Sequence, residues 1–142
     1  MLNINVSDLH GLTLDWAVAM SAGLPVKHDP MGFKAGSESG FWIWEEAGFK
    51  LGITSLIGRE YSPSTSWVQG GPIIDTLREY SQCQFLIEND GESVRVLSSP
   101  KESVFYSGYG AGVLIAAMRC FVAIKLGEVV DVPEALIMLG PN

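Results

Sequence analysis

His10 and His28 are the only histidines of this 142-residue chain, and any acid–base chemistry poised near neutral pH would fall first to them. His10 precedes a predicted helix and His28 falls in a predicted loop, and neither has companions at a metal-ligand or catalytic spacing. Ser62, Ser64, Thr65 and Ser66 form a hydroxyl cluster. No GxSxG elbow or SxxK motif is present to turn one of them into a nucleophile, so turn and cap formation accounts for the cluster. Glu45 and Glu46 adjoin in sequence, but neighbours point apart on a strand or a helix, which leaves them as a solvated pair. Cys83 and Cys120 lie far apart, with no CxxC and no nearby His pair, so neither a disulfide framework nor a zinc site is expected. Gly108-x-Gly110 ahead of a helix has two glycines of the dinucleotide fingerprint. The third would be residue 113, which is Val113, and no alternating strand–helix series surrounds the loop. A flexible lead into a packed helix is expected there. No metal and no cofactor is expected.

Arg119 is a different kind of signal. It interrupts a nearly continuous apolar helix, where a charge cannot stay without a carboxylate or several carbonyl acceptors. Asp75 and Glu79 lie four apart, on one side of a predicted helix, and are its expected partners. Trp42 and Trp44 alternate with Phe41 and Ile43 along a predicted strand. Either the tryptophan pair faces outward as a partner surface, or the strand is buried on both faces.

These residues must be positioned by a small set of elements. Leu2, Ile4 and Val6 alternate as in a half-buried strand, and Leu12, Trp16, Ala19 and Met20 predict a helix over 12–22, stopped by Gly23 and Pro25. The stretch 27–40 reads as loop, and 41–44 and 50–57 as β-prone segments weakened by Gly48, Gly52 and Gly58. Pro72 at a first helical position, followed by Ile73, Ile74, Leu77 and Tyr80, predicts a short helix over 72–80. Asp90-Gly91 predicts a type I′ hairpin with Ile87 opposite Val94 and Phe85 opposite Val96 on one buried face. A short strand at 104–106 precedes the longest helix, 113–126, which ends on Lys125 and Gly127. Val129 to Pro133 is expected to be extended, with a last turn at 134–138.

With 16 acidic and 9 basic residues the net charge is −7 and the pI is near 4.7. The basic residues are scattered singly, so a phosphate-backbone partner is disfavoured and nucleic-acid binding is not expected. The start of the chain lacks the positive region of a secretory signal. The longest apolar run, 111–124, falls short of the roughly 20 residues of a membrane span. A cytoplasmic chain with reduced thiols and no membrane partner fits. The expected architecture is α+β: one domain over 1–142, with a small, mainly antiparallel sheet packed on helix 113–126 and a shorter N-terminal helix beside it.

Three blocks, Leu14 to Ala19, Trp67 to Ile74 and Leu114 to Arg119, together resemble the phage NinX-like family of unknown function, found in tailed bacteriophages and prophages. The tail from Lys125 to Pro133 is similar to the family's close. Ser66 stands where an acidic residue is common, and Gly110-Ala111-Gly112 replaces a helix start containing Pro and Thr. The resemblance implies a phage-derived accessory protein in a bacterial cytoplasm and implies no reaction. On this reading Trp67, Gly70, Gly71, Pro72, Asp75, Glu79 and Arg119 form a shared site, with Trp67 laid over it and both glycines allowing close backbone approach. The expected action is binding to a host or phage protein. The alternative is a small-ligand binder or enzyme whose site lies near Trp67–Gly71 or Gly108–Gly112.

Overall fold

A computed structural model describes residues 1–31, 39–45 and 53–138. The chain opens with β1 (Leu2–Asn5), a 3₁₀ turn (Val6–Asp8) and α1 (Gly11–Ser21). β2 (Val26–Asp29), β3 (Gly40–Glu45) and β4 (Ile53–Leu56) follow, then α2 (Trp67–Tyr80). β5 (Gln84–Asp90), β6 (Ser93–Lys101) and β7 (Val104–Gly110) lead to α3 (Val113–Leu126), and β8 (Val129–Val132) and α4 (Glu134–Ile137) close the described chain. The class is α+β. The strands fall into three small antiparallel sheets, β1–β8, β2–β3–β4 and β5–β6–β7.

α3 is the centre of the packing, touching α1, α2, β6 and β7. Its apolar surface is nearly continuous, with Leu114, Ala116, Ala117, Met118, Cys120, Phe121 and Val122 all buried. A helix apolar around most of its circumference must be covered on most sides, which is what the neighbouring elements do. α1 is similar, burying every residue from Thr13 to Ala19. The small residues Ala17, Ala19, Ala116 and Ala117, all fully buried, let the two helices approach.

β7 lies closer still. A Cβ on Gly108 would stand 2.1 Å from the carbonyl oxygen of Ala116 and 2.4 Å from the amide nitrogen of Cys120. Only glycine permits that strand-to-helix contact. Gly108 and Gly110 are therefore packing residues inside a strand that runs to Gly110, which corrects the expected flexible lead at those two positions, while a Cβ on Gly112 would meet open space.

Other elements also depart from the sequence reading. The loop expected over 27–40 contains β2, and residues 32–38 of it lie outside the described residues. β2 lacks apolar alternation because its cross-strand partners are aromatic: His28 stacks on Phe41 with ring centroids 4.2 Å apart, and the Lys27 ammonium sits 5.7 Å from the centre of the Trp44 ring. Of the segment 50–57, residues 50–52 lie outside the described residues, and β4 covers 53–56.

α2 starts at Trp67 rather than Pro72. Pro72 has no N–H to give to the Val68 carbonyl. Val68 is highly exposed, so water can take up that acceptor.

The hairpin forms, but in another register. Ile87 pairs with Val96 and Phe85 with Ser98, and the two-residue loop is Gly91-Glu92. The positive φ falls on Gly91 alone, at +66°, with no non-glycine but Ser103 at positive φ among the described residues. Glycine first in the loop is the pattern of a II′ turn, not the I′ turn read from Asp90-Gly91. Ile87 and Val94 still share a face, but Ile87 is exposed and Val96 takes the buried place against α3.

Candidate functional site

The three blocks meet at α3, through contacts different from those expected. Asp15, 3% exposed in the middle of α1, accepts the main-chain N–H of Ser64 at 2.9 Å through Oδ1. Ser64 is held in a tight turn, because the N–H groups of Thr65 and Ser66 both go to the Ser62 carbonyl. Gln69 fastens that turn to α2: its Oε1 accepts the Ser62 N–H at 2.6 Å and its Nε2 donates to the Glu60 carbonyl. The hydroxyl cluster is thus a turn that leads into α2. Gly70 completes the junction, since a Cβ there would lie 2.5 Å from both the Pro63 carbonyl oxygen and Leu114 Cδ2. Block two therefore touches block three at Gly70 and Leu114. A Cβ on Gly71 would meet open space, so the expectation of close approach holds for Gly70 and fails for Gly71.

Arg119 makes the second fastening. Nε and Nη2 fork onto the Leu9 carbonyl at 3.0 and 2.8 Å, and Nη1 donates to the Tyr109 carbonyl at 2.7 Å. The planar guanidinium suits this role, because its donors diverge in one plane and reach two acceptors at once. Asp75 and Glu79 are not its partners; Asp75 lies 3.8 Å from Arg78 in an exposed pair. The need for acceptors is met by main-chain carbonyls. Trp67 does not cover this junction either, since it is 59% exposed at the first turn of α2.

Burial sets the electrostatics of both fastenings. It pushes the Asp15 carboxyl up to about 6, against the hydrogen bonding of Ser64, which favours the charged form. Burial also lowers the Arg119 guanidinium, while the Asp8 carboxylate opposes that shift; the side chain stays charged. The Cys120 thiol is pushed up to about 12 by burial, which makes it a poor nucleophile.

Chemically the arrangement is a set of fastenings. Asp15 has a pKa suited to a general base, but its burial leaves no approach for a substrate. His10 Nδ1 is engaged with the Asp8 carbonyl at 3.0 Å, and His28 lies on Phe41. Glu46 lies outside the described residues. No group of three His, Cys, Asp or Glu residues could hold a metal ion among the described residues. No helix among them is long and apolar enough to cross a membrane.

Beside Arg119 a cleft of about 210 Å³ opens between the 3₁₀ turn, β7 and α3, lined in part by Asn5, Ser7, Ser107 and Glu128. The tryptophan pair does not form an outward patch. Trp42 is 5% exposed and Trp44 half-buried, so the strand Phe41 to Trp44 is covered on both faces. Exposed apolar residues lie elsewhere, among them Trp67 and Val68 on α2, Leu86 and Ile87 on β5, Phe105 on β7 and Val129 on β8.

Sequence reasoning flagged Arg119 as a lone charge in an apolar helix but passed over Asp15, which carries the same signal in α1. Ser64 had no such signal, because it contributes a main-chain N–H.

An α+β chain whose elements are fastened around α3 by a buried aspartate on α1, an arginine fork and a glycine contact is the class these observations define. A family model described as Bacteriophage P22, NinX matches residues 5–125, and the chain belongs to that family. No curated protein matches it.

Proposed function

We propose that this phage-family protein is an accessory factor of the bacterial cytoplasm that acts by binding another protein, from host or phage, through the first turn of α2. The observation that carries this reading is the exposure of Trp67 and Val68, at 59% and 86%, in a block that resembles the family. Tryptophan is enriched at binding hot spots because it buries a large area with few rotors, and an adjoining pair of exposed apolar residues costs solubility unless it is covered. The acidic balance supports a protein partner over nucleic acid.

The small-ligand alternative rests on the cleft beside Gly108 and Arg119. At about 210 Å³ it falls below the roughly 300–1,000 Å³ of ordinary ligand pockets, which favours the protein partner.

Tagged protein recovered from phage-infected host cells tests the reading. Wild type is expected to retain a stoichiometric partner that the double variant Trp67→Ser, Val68→Ser loses. A partner retained equally by both, or none with wild type, overturns it.

A further inference from the structure

The sheet β5–β6–β7 has two edges, and they differ. Main-chain acceptors of β7 are spent on side chains: Ser99 Oγ donates to the Val104 carbonyl at 2.7 Å and Arg119 to the Tyr109 carbonyl. The 3₁₀ turn also lies against β7. Among the described residues β5 has β6 as its one strand neighbour, and six of its seven residues are exposed.

The ladder says which groups of β5 are unspent. The two-residue loop closes on the hydrogen-bonded pair Asp90 and Ser93, and antiparallel pairs alternate, so Glu88 and Leu86 also turn their N–H and C=O groups toward β6. The same groups of Phe85, Ile87 and Asn89 then point away from the sheet. Natural edges are blunted by charged side chains, lysine above all, by proline or by a bulge, and of the two carboxylates on β5, Glu88 and Asp90, the first is neutralised by Arg95. β5 has no lysine or proline, and its register runs unbroken from Gln84 to Asp90. It also leaves Leu86 36% and Ile87 43% exposed, on opposite faces.

We propose that β5 pairs antiparallel with β5 of a second copy of this chain, about a two-fold axis through Ile87, joining two sheets into one. The sequence Gln84 to Asp90 is self-complementary in this register. Ile87 meets the second copy's Ile87, and Phe85 meets its Asn89, so residues with outward main-chain groups face one another and satisfy both edges. Like charges do not face. Glu88 stands opposite Leu86 and Asp90 opposite Gln84, and Glu88 is already paired with Arg95 Nη2 at 2.6 Å on its own sheet. The two Ile87 side chains would cover each other on the face that carries α3. This contact uses a surface other than Trp67 and Val68 and stands or falls apart from the function proposed above.

The test is the mass of the purified full chain by light scattering over a concentration series, with amide exchange read residue by residue. Wild type is expected to reach twice the chain mass, and the amides of Phe85, Ile87 and Asn89 to exchange more slowly as concentration rises. Ile87→Pro removes an N–H that β6 does not use, so the hairpin should survive while the mass falls to that of one chain. Ile87→Lys, which sets two cations against each other at the axis, should do the same and covers the case in which the proline variant fails to fold. A wild type that is monomeric at every concentration overturns the proposal, including the case in which the edge accepts a strand from another protein. So does a dimer that survives Ile87→Lys, or outward amides that exchange independently of concentration.

Discussion

Around α1 and α3 the inward polar groups of the family-like blocks are spent on main-chain groups of neighbouring segments, whereas along β5 and the first turn of α2 apolar side chains face water. The two regions divide the blocks. Asp15 ties α1 to the turn at Ser64, Arg119 ties α3 to the end of the 3₁₀ turn and to β7, and Gly70 lets α2 close on α3. Trp67 and Val68, in the same blocks, hold nothing inside and remain exposed. Membership of a family-like block therefore does not by itself mark a binding residue. Burial and the fate of each polar group separate the positions that maintain the fold from those free to meet a partner.

The comparison breaks first if the interior contacts prove dispensable. Gly108→Ala should cost about 3 kcal/mol or more, because its Cβ meets helix backbone that cannot step aside as a side chain would. Chemical denaturation measures this, and a variant of wild-type stability would mean that β7 does not lie on α3 as described. Arg119→Met keeps much of the apolar stem but leaves the Leu9 and Tyr109 carbonyls without their donors, and should cost roughly 3 kcal/mol.

Asp15 sharpens the comparison through pH. Its carboxyl is raised in the fold, from 3.8 to about 6, so the folded state holds the proton more tightly than the unfolded chain. Its stabilising contribution is complete below about pH 4 and is lost as pH rises through about 6. Asp15→Asn keeps an oxygen acceptor for the Ser64 N–H and cannot ionise. The stability of the Asn variant relative to wild type should therefore improve by roughly 2 kcal/mol between pH 4 and pH 7. Parallel pH profiles for the two proteins would show that Asp15 is not buried as a carboxylate.

Much of the fold is legible in the residues. The helix 113–126 is bounded by its apolar run, Lys125 and Gly127, and the structure has those limits. The extended tail became β8 and the last turn α4. The hairpin's place was legible and its register was not, because Asp90-Gly91 and Gly91-Glu92 are both good two-residue turns and the two registers keep the same residues on each face, so the hydrophobic pattern does not choose between them. β2 escaped notice because its stability comes from cross-strand contacts to Phe41 and Trp44, which local periodicity cannot show.

For the site, a half-buried cation at Arg119 could be read from its place in an apolar helix, but its partners could not. Main-chain carbonyls have no residue-type signature, so the search for a partner fell on carboxylates. Close approach at Gly70 was legible in its block, but at Gly108 it was hidden, since a glycine admitted for contact and one admitted for a turn look alike in sequence.

Holding residues are separated from free ones most directly by the unfolding free energy of Arg119→Met beside that of the double variant Trp67→Ser, Val68→Ser. The arginine variant should lose roughly 3 kcal/mol, and the double variant should stay within about 0.5 kcal/mol of wild type. An arginine variant as stable as wild type, or a double variant that loses as much as the arginine variant, would contradict it.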